Sequence, residues 1–566
     1  MKRPMVAAGA ALVLAVALTA PAWLDPTGRV LGHPGADTYN HLWGYWQVHS
    51  ALGAGESPLQ TALLRFPQGG ALWFIDMAGA LLSAPVQLLA GPVVAMNAVV
   101  TLRVALGILG AGLLAHRVTG SPAGAAVAGV VYGASPYVLG QLHNGITETL
   151  ALGWLPLALW AALGFRQAPG PRSGLLAGVM LGATALTNWY YGLFALLAVL
   201  PLVVQALGPG LRAGAVRRHL GWPVAAAGLL VLPALVRFRR TLVAADGLVA
   251  RDGDFVERTL WAHNMVDALA FVVPVRSPDL KVLFDEDLVV VVYVGLIALG
   301  LAGWGAWRRR AARPWLAGAL AAWVMALGPY LYVGGRYQAL PGGDWLPLPF
   351  LFFFEPFPLL RPLSHAYRFT VPLQLCVAVL AAWGVVALAR RSQRSEGLVA
   401  GLGVALVLAE LALVAPAPFP VATAPVATPA VYGAIAAEGA VLDLPASVQV
   451  LARSRYNLYQ VGHGRPIPYG LNDPTPPLLR QNRLARSALD LERTSVDTVA
   501  PVLPALDLAL GEAALVQAGF AAVVLHLDEL PAAVRVRVWQ HLDLTLGHGE
   551  RIGDQVLWQL GQRPDR

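Results

Sequence analysis

The sequence is poor in charge and nearly free of cysteine. Of its 566 residues, 13% are Asp, Glu, Lys or Arg, about half the share of roughly 25% found in soluble domains. Hydrophobic residues make up 57%, and the mean hydropathy is +0.59. So little charge over so long a chain means that many residues need no water. The single cysteine, Cys376, excludes an intramolecular disulfide framework and a cysteine-based zinc site. It lies in an apolar run and reads as a small core residue. No internal repeat and no low-complexity tract stands out beyond a general richness in Ala, Leu, Val and Gly. The formal charge of +8 does not point to nucleic acid, because the basic residues cluster at the ends of apolar runs, where membrane topology explains them.

Long uncharged runs fill the chain instead. Residues 5–24, 288–307, 315–335 and 369–389 each supply the ~20 apolar residues that cross a ~30 Å hydrocarbon core. The pattern predicts a polytopic all-α membrane protein of about eleven transmembrane helices: 5–24, 93–115, 121–140, 149–165, 174–188, 191–207, 220–236, 288–307, 315–335, 369–389 and 397–415. The first run is longer than the ~7–15 residues of a signal-peptide core, so it reads as a retained helix with the N-terminus inside. Asp76, Pro85 and Gly91-Pro92 interrupt 71–89, which reads as interfacial helix. Lys2, Arg3, Arg117, Arg166, Arg172, Arg212, Arg217, Arg218, Arg308, Arg309, Arg310, Arg313, Arg390, Arg391 and Arg394 then fall on the inner side, as the positive-inside rule asks.

An odd number of spans leaves the C-terminal region outside. The expected division is a membrane domain over 1–415, with a first outer loop at 25–92 and further outer loops at 237–287 and 336–368. A proline-rich linker follows at 416–435, then a small α/β or α+β extracytoplasmic domain at 436–566. Within the last, 440–444, 521–526 and 555–560 read as strands and 512–518 as helix.

Polar residues concentrate in a few places. The first outer loop opens with His33-Pro-Gly-Ala-Asp37-Thr-Tyr-Asn-His41-Leu-Trp43-Gly-Tyr-Trp46-Gln-Val-His49. Asp37 could deprotonate an attacking hydroxyl, or simply form an Asx turn or helix N-cap. Glu148, in His143-Asn-Gly-Ile-Thr-Glu148, is a second candidate acid, or a first-turn glutamate favoured by the helix dipole. Arg103 lies well inside a span, where a charge is costly unless paired or facing water; near a helix end it would snorkel. Arg237, Arg239 and Arg240 form one outer basic cluster, and Arg361, His365 and Arg368 another. Guanidinium forks suit phosphate oxygens and anionic lipid headgroups equally. His41 and His143 are candidate substrate contacts or interfacial hydrogen-bonders; with no His-x-x-x-His pair, zinc is not indicated. The aromatic, glycine-rich stretch 456–470 reads as a strand connection or a sugar-binding lid.

The order of an inner N-terminus, one helix, a long first outer loop with an early acid, interfacial helices, Arg103 and a helix closing on Ala115-His-Arg-Val-Thr-Gly120 resembles the GT-C class of integral-membrane glycosyltransferases. Gly35-Ala-Asp37-Thr, Ala134-Ser-Pro136-Tyr, Asn264-Met-Val-Asp267-Ala-Leu, Leu360-Arg361-Pro362 with Tyr367-Arg368-Phe369, and Leu442-Asp-Leu-Pro445 are similar to large bacterial membrane proteins of the YfhO-like and 6-pyruvoyl-tetrahydropterin synthase-related types. The resemblance implies a polyprenyl-phosphate sugar donor, a glycan, lipid or protein acceptor in the cell envelope, and a place in the cytoplasmic (inner) membrane. It implies Asp37 as general base or as ligand of a divalent metal, Mg or Mn, with Glu148 assisting. Arg103 would neutralise the donor phosphate or Asp37, and one arginine cluster would hold the phosphate. Two other classes stay open: a transporter or lipid-handling protein whose Arg103 and Glu410 line a path, and a scaffold with the same fold and no chemistry.

Overall fold

A computed structural model describes residues 2–72, 76–207, 211–244, 261, 263–354, 364–471, 476–494 and 504–561. The chain divides into two compact units. One comprises Met1–His33, Asp76–Arg239 and Arg251–Ala424; the other comprises Pro34–Ile75, Arg240–Ala250 and Pro425–Arg566.

The first unit is helical, and the chain is a multi-pass membrane protein. Among the described residues, six helices are long and apolar enough to span: Met77–Thr119, Pro122–Asn144, Thr147–Gln167, Gly214–Arg240, Ala366–Ser392 and Glu396–Leu413; Met5–Leu18 and Trp189–Pro201 are shorter apolar helices. Met77–Thr119 contains the expected interruption, since Gly91 takes φ +81° and breaks the helix before Pro92. Pro122–Asn144 is likewise broken. Its helix stops at Gly133 and restarts at Pro136, because a residue before proline avoids the helical region and Ser135 is extended.

Two expected spans differ from the prediction. Residues 288–295 are not helical, and the helix is only Leu296–Arg308. Five of the six residues Val289–Val294 are the β-branched valine, which lowers helix propensity, and all six are buried outside any helix or strand. Irregular backbone is tolerated in the apolar interior of a membrane protein only when its polar groups are satisfied there. Asn144 does this at Val289: its amide donates to the Val289 carbonyl at 2.9 Å and accepts from the Val289 N–H at 2.8 Å. Gln374 donates to Val294 O at 3.2 Å. The expected span 315–335 is also shorter, Arg313–Ala326, after which the chain turns into a small β-structure.

The second unit is built on a four-stranded sheet. Ala440–Leu444 pairs parallel with Phe520–His526, which pairs antiparallel with Gln555–Gln559, which pairs antiparallel with Glu550–Ile552. The expected strands stand where apolar runs placed them, and the expected helix 512–518 is part of Ala505–Gln517. The unit also takes in part of the first outer loop, which the sequence had grouped with the membrane domain. Trp43, Leu64 and Leu72 share one core with Leu442, Tyr456, Leu515 and Val523. The stretch 456–470 begins as the helix Arg455–His463, whose Gln460 accepts from Trp43 Nε1 at 2.6 Å. Its second half pairs with 63–66, through Phe66 N–H to Ile467 O at 3.0 Å and Ile467 N–H to Leu63 O at 2.8 Å.

Candidate active site

The candidate residues fall in both units. In the second, Asp37 precedes the helix Thr38–Gly53 and makes no side-chain capping bond to it. Its carboxylate turns sideways. Oδ1 accepts from Asn40 Nδ2 at 2.7 Å, and Oδ2 lies 3.7 Å from Nε2 of His41, one helical turn on. Asn40 is held in turn by Asn457 Nδ2 at 2.6 Å. Asp37 and His41 thus form a carboxylate–imidazole pair on a helix braced from the C-terminal residues. Asp37 stands at the N-cap position of this helix without a side-chain bond to its first turn.

In the first unit, a polar chamber gathers around Arg368. Its residue is buried, and its guanidinium lies 4.6 Å over the ring of Tyr190. Among the described residues no carboxylate comes within ion-pair distance of it, and its buried Nε has no hydrogen-bond partner. Glu148, Tyr137, Tyr190 and Tyr367 all lie within its electrostatic reach. Glu148 sits in the 3₁₀ turn Thr147–Leu150, where Tyr191 O–H donates to Thr149 O. Three residues before Arg368, His365 joins a chain the sequence had not suggested. Its Nδ1 lies 3.2 Å from Tyr190 Oη and its Nε2 3.4 Å from His263 Nδ1, while His263 Nε2 lies 3.2 Å from Glu286. His263 and Glu286 are far from His365 in sequence; the signal available was the acidic run Asp285-Glu286-Asp287 beside an apolar stretch.

The other candidates separate from this chamber or lie elsewhere. His143 stacks on His33 at 4.9 Å and 22°, with its Nε2 3.0 Å from Asp287 O, so it joins two loops. Arg237, Arg239 and Arg240 are exposed on the helix Gly221–Ala244. Arg361 lies outside the described residues.

Arg103 corrects an expectation. It is buried, but its partner is Asp76, an acid the sequence had marked only as interrupting a helix. Both guanidinium nitrogens reach the Asp76 carboxylate, Nη2 to Oδ1 at 2.9 Å, and Nη1 also donates to Thr147 O at 2.8 Å. Thr147 Oγ1 donates to Asp76 Oδ2 at 2.7 Å, and Gly79 N–H to Oδ1 at 2.9 Å. Arg103 is therefore committed to holding the start of one helix against the turn that carries Glu148.

Glu410 is committed too. It accepts from Tyr293 O–H at 2.5 Å and from the N–H groups of Leu296 and Ile297 at 2.6 and 3.1 Å. It caps the N-terminus of a neighbouring helix, which leaves those donors otherwise unsatisfied.

Among the described residues no three His, Cys, Asp or Glu side chains converge as metal ligands. The contacts of Asp37 include one imidazole and one amide.

No protein-family model and no curated protein matches the chain. Its structure is similar to that of the arabinofuranosyltransferase AftD from Mycobacteria, with a TM-score of 0.56 and 14% identity over 99% of this chain and 40% of AftD. It is also similar to the oligosaccharyltransferase of Archaeoglobus fulgidus, with a TM-score of 0.45 and 12% identity over 92% and 69% of the two chains. ArnT from Cupriavidus metallidurans, bound to undecaprenyl phosphate, gives a TM-score of 0.43 and 14% identity over 98% and 99%. The chain spans 40% of AftD's length. The likeness to AftD shows a shared fold alone.

Proposed function

We propose that the chain is a membrane glycosyltransferase that moves a sugar from a polyprenyl-phosphate donor to a cell-envelope acceptor, in the inner membrane with its C-terminal unit outside. The observation that carries this reading is Arg368: a buried guanidinium that has no carboxylate within ion-pair distance among the described residues, set among tyrosines and within electrostatic reach of Glu148. A buried cation with no directly paired carboxylate is costly, and a phosphate monoester or diester is an anion its fork fits. The GT-C fold supports the same reading by analogy.

In this reading Asp37 accepts the proton of the acceptor hydroxyl as its oxygen attacks the anomeric carbon. The bond from that carbon to the phosphate oxygen breaks, and the polyprenyl phosphate leaves with the electron pair. The sugar passes through an oxocarbenium-like transition state. His41 orients the Asp37 carboxylate.

Arg103 and Glu410, the residues on which a transporter reading draws, both bond within the protein. The test is transfer or slow hydrolysis of a panel of radiolabelled polyprenyl-phosphate sugars by the full chain in lipid nanodiscs, with and without Mg or Mn. Asp37→Asn should lower turnover about 10²–10⁴-fold, the usual loss on removing a general base. Arg368→Gln should weaken donor binding, and Arg368→Lys should restore part of it. No turnover of any donor by a folded sample would end this reading and favour a scaffold.

A further inference from the structure

Beyond the chamber, the β-structure that follows the helix Arg313–Ala326 carries a surface the proposed chemistry does not use. Three short extended segments fold back on one another. Tyr332 pairs with Tyr337, Ala339 with Trp345, and Tyr330 with Pro347, so each segment pairs with both others. Side chains alternate along extended backbone, and Tyr330, Tyr332, Tyr337 and Trp345 come out on one face. Their rings touch in series. Tyr332 and Tyr337 meet at 5.1 Å, Tyr337 stacks on Trp345 at 4.2 Å and 17°, and Trp261 stacks on Tyr330 at 5.0 Å and 10°. Trp345 is 42% exposed. The indole N–H groups of Trp261 and Trp345 and the hydroxyls of Tyr332 and Tyr337 make no hydrogen bond among the described residues. Beside the rings stand Arg336 and Asp344, both exposed and without side-chain partners among the described residues.

We propose that this platform binds carbohydrate and receives the acceptor glycan, so that the acceptor class is a saccharide chain. Stacked rings present broad π-faces to the C–H face of a sugar, while free N–H, O–H, guanidinium and carboxylate groups at the edge suit its hydroxyls. The alternative covering, lipid, fits less well. The two turns of the meander, Gly334-Gly335 and Pro341-Gly342-Gly343, offer no bulky apolar side chain to insert, and of their neighbours only Leu340 is exposed and apolar. Arg336 and Asp344 cancel in charge, which removes attraction to anionic headgroups.

The assignment of an acceptor rests on the glycosyltransferase reading; sugar binding itself does not. The experiment therefore measures binding without donor. Full chain in nanodiscs of phosphatidylcholine and phosphatidylglycerol is titrated with arabino-, galacto-, manno- and gluco-hexaose, followed by saturation-transfer NMR and tryptophan fluorescence. At least one hexaose should bind, with affinity reduced tenfold or more by Trp345→Ala and less than threefold by Tyr337→Phe, which keeps the ring. Trp345→Phe guards against misfolding and should retain most of the binding. If no hexaose binds, or binding is unchanged in Trp345→Ala, the platform is not a sugar site. Quenching of Trp345 by brominated lipid, together with absent sugar binding, would make it a membrane anchor and overturn the proposal. Sugar binding without turnover of any donor would keep the platform and end the transferase reading, while turnover without sugar binding would do the reverse.

Discussion

At the scale of single residues, the apolar environment decides what a charge can do. Asp76 and Arg103 are buried together with Thr147, and each satisfies the other. Removing one partner leaves an uncompensated charge, which costs about 3–5 kcal/mol. Arg103→Met should therefore lower the unfolding temperature in detergent markedly. The double variant Arg103→Gln, Asp76→Asn should lose less than the sum of the two single changes. An additive double variant would show that the pair is not coupled.

The C-terminal unit gives the residue scale a pH signature. Burial pushes Glu492 up to about 7, against the N–H groups of Ser447 and Ala446, which favour its ionised form. Burial pushes His463 down to about 4, with Asp443 opposing and Arg465 adding to the effect. It also lowers His541. The folded state holds the Glu492 proton where the unfolded state has lost it, so stability from this group falls as pH rises from about 4.5 to 7. The folded state rejects the histidine protons where the unfolded state binds them, so stability from His463 rises with pH from about 4 to 6.5. Each contribution amounts to roughly 3 kcal/mol, and across 4.5–6.5 they oppose. Protection of the Phe520–His526 amides, corrected for intrinsic exchange, should rise more steeply with pH over this range in Glu492→Gln than in the unaltered chain. Equal pH slopes in the two proteins would remove Glu492 from the account.

At the scale of elements, the first unit is held by close helix approaches and by side chains that complete other segments' backbones. A Cβ on Gly384 would stand 2.0 Å from Leu301 O, and one on Gly305 2.3 Å from Leu380 O. Here the helices Leu296–Arg308 and Thr370–Ser392 cross with backbone nearly touching, as small residues permit in membranes. Gly384→Val should cost about 1–3 kcal/mol through overpacking, visible as a lower melting temperature. Glu410 belongs at this scale, because it ends the non-helical run and starts a helix. Glu410→Ala strips three donors of their acceptor, each left unsatisfied at roughly 1–3 kcal/mol. Stability should drop sharply, while the hexaose affinity of any folded sample stays unchanged. Asn144 plays the equivalent part for Val289, a role not legible in the sequence: an asparagine near the end of an apolar helix looks the same whether it faces solvent or another backbone.

At the scale of the whole molecule, the second unit joins segments about 400 residues apart. Trp43 and Leu64 pack in the core of the C-terminal sheet, and Asn40 beside Asp37 is held by Asn457. Removing 425–566 should therefore unprotect the helix Thr38–Gly53 in hydrogen exchange and abolish turnover, while the spans beginning at Met77 stay protected. A helix 38–53 that remains protected in the shortened chain would show that it folds without the C-terminal residues.

What the sequence determined by itself was whatever local composition controls. Low charge and long apolar runs specified a multi-pass helical protein, because only such segments satisfy their backbones in lipid. Glycine and proline located the breaks at Gly91 and Ser135, and apolar runs located the strands of the C-terminal sheet. Tertiary structure alone decided the partnerships. It decided that residues 289–294 leave the helix, with Asn144 bonding Val289 and Gln374 bonding Val294. Arg103 belongs to Asp76, since two buried charges find each other whatever their separation in the chain. Arg368, alone among the candidate cations in being buried with no described carboxylate, was set in its chamber of tyrosines by the folding of the segments that carry Tyr137, Glu148, Tyr190 and Tyr367. Composition foretells which side chains must leave water; only packing says which groups meet them there.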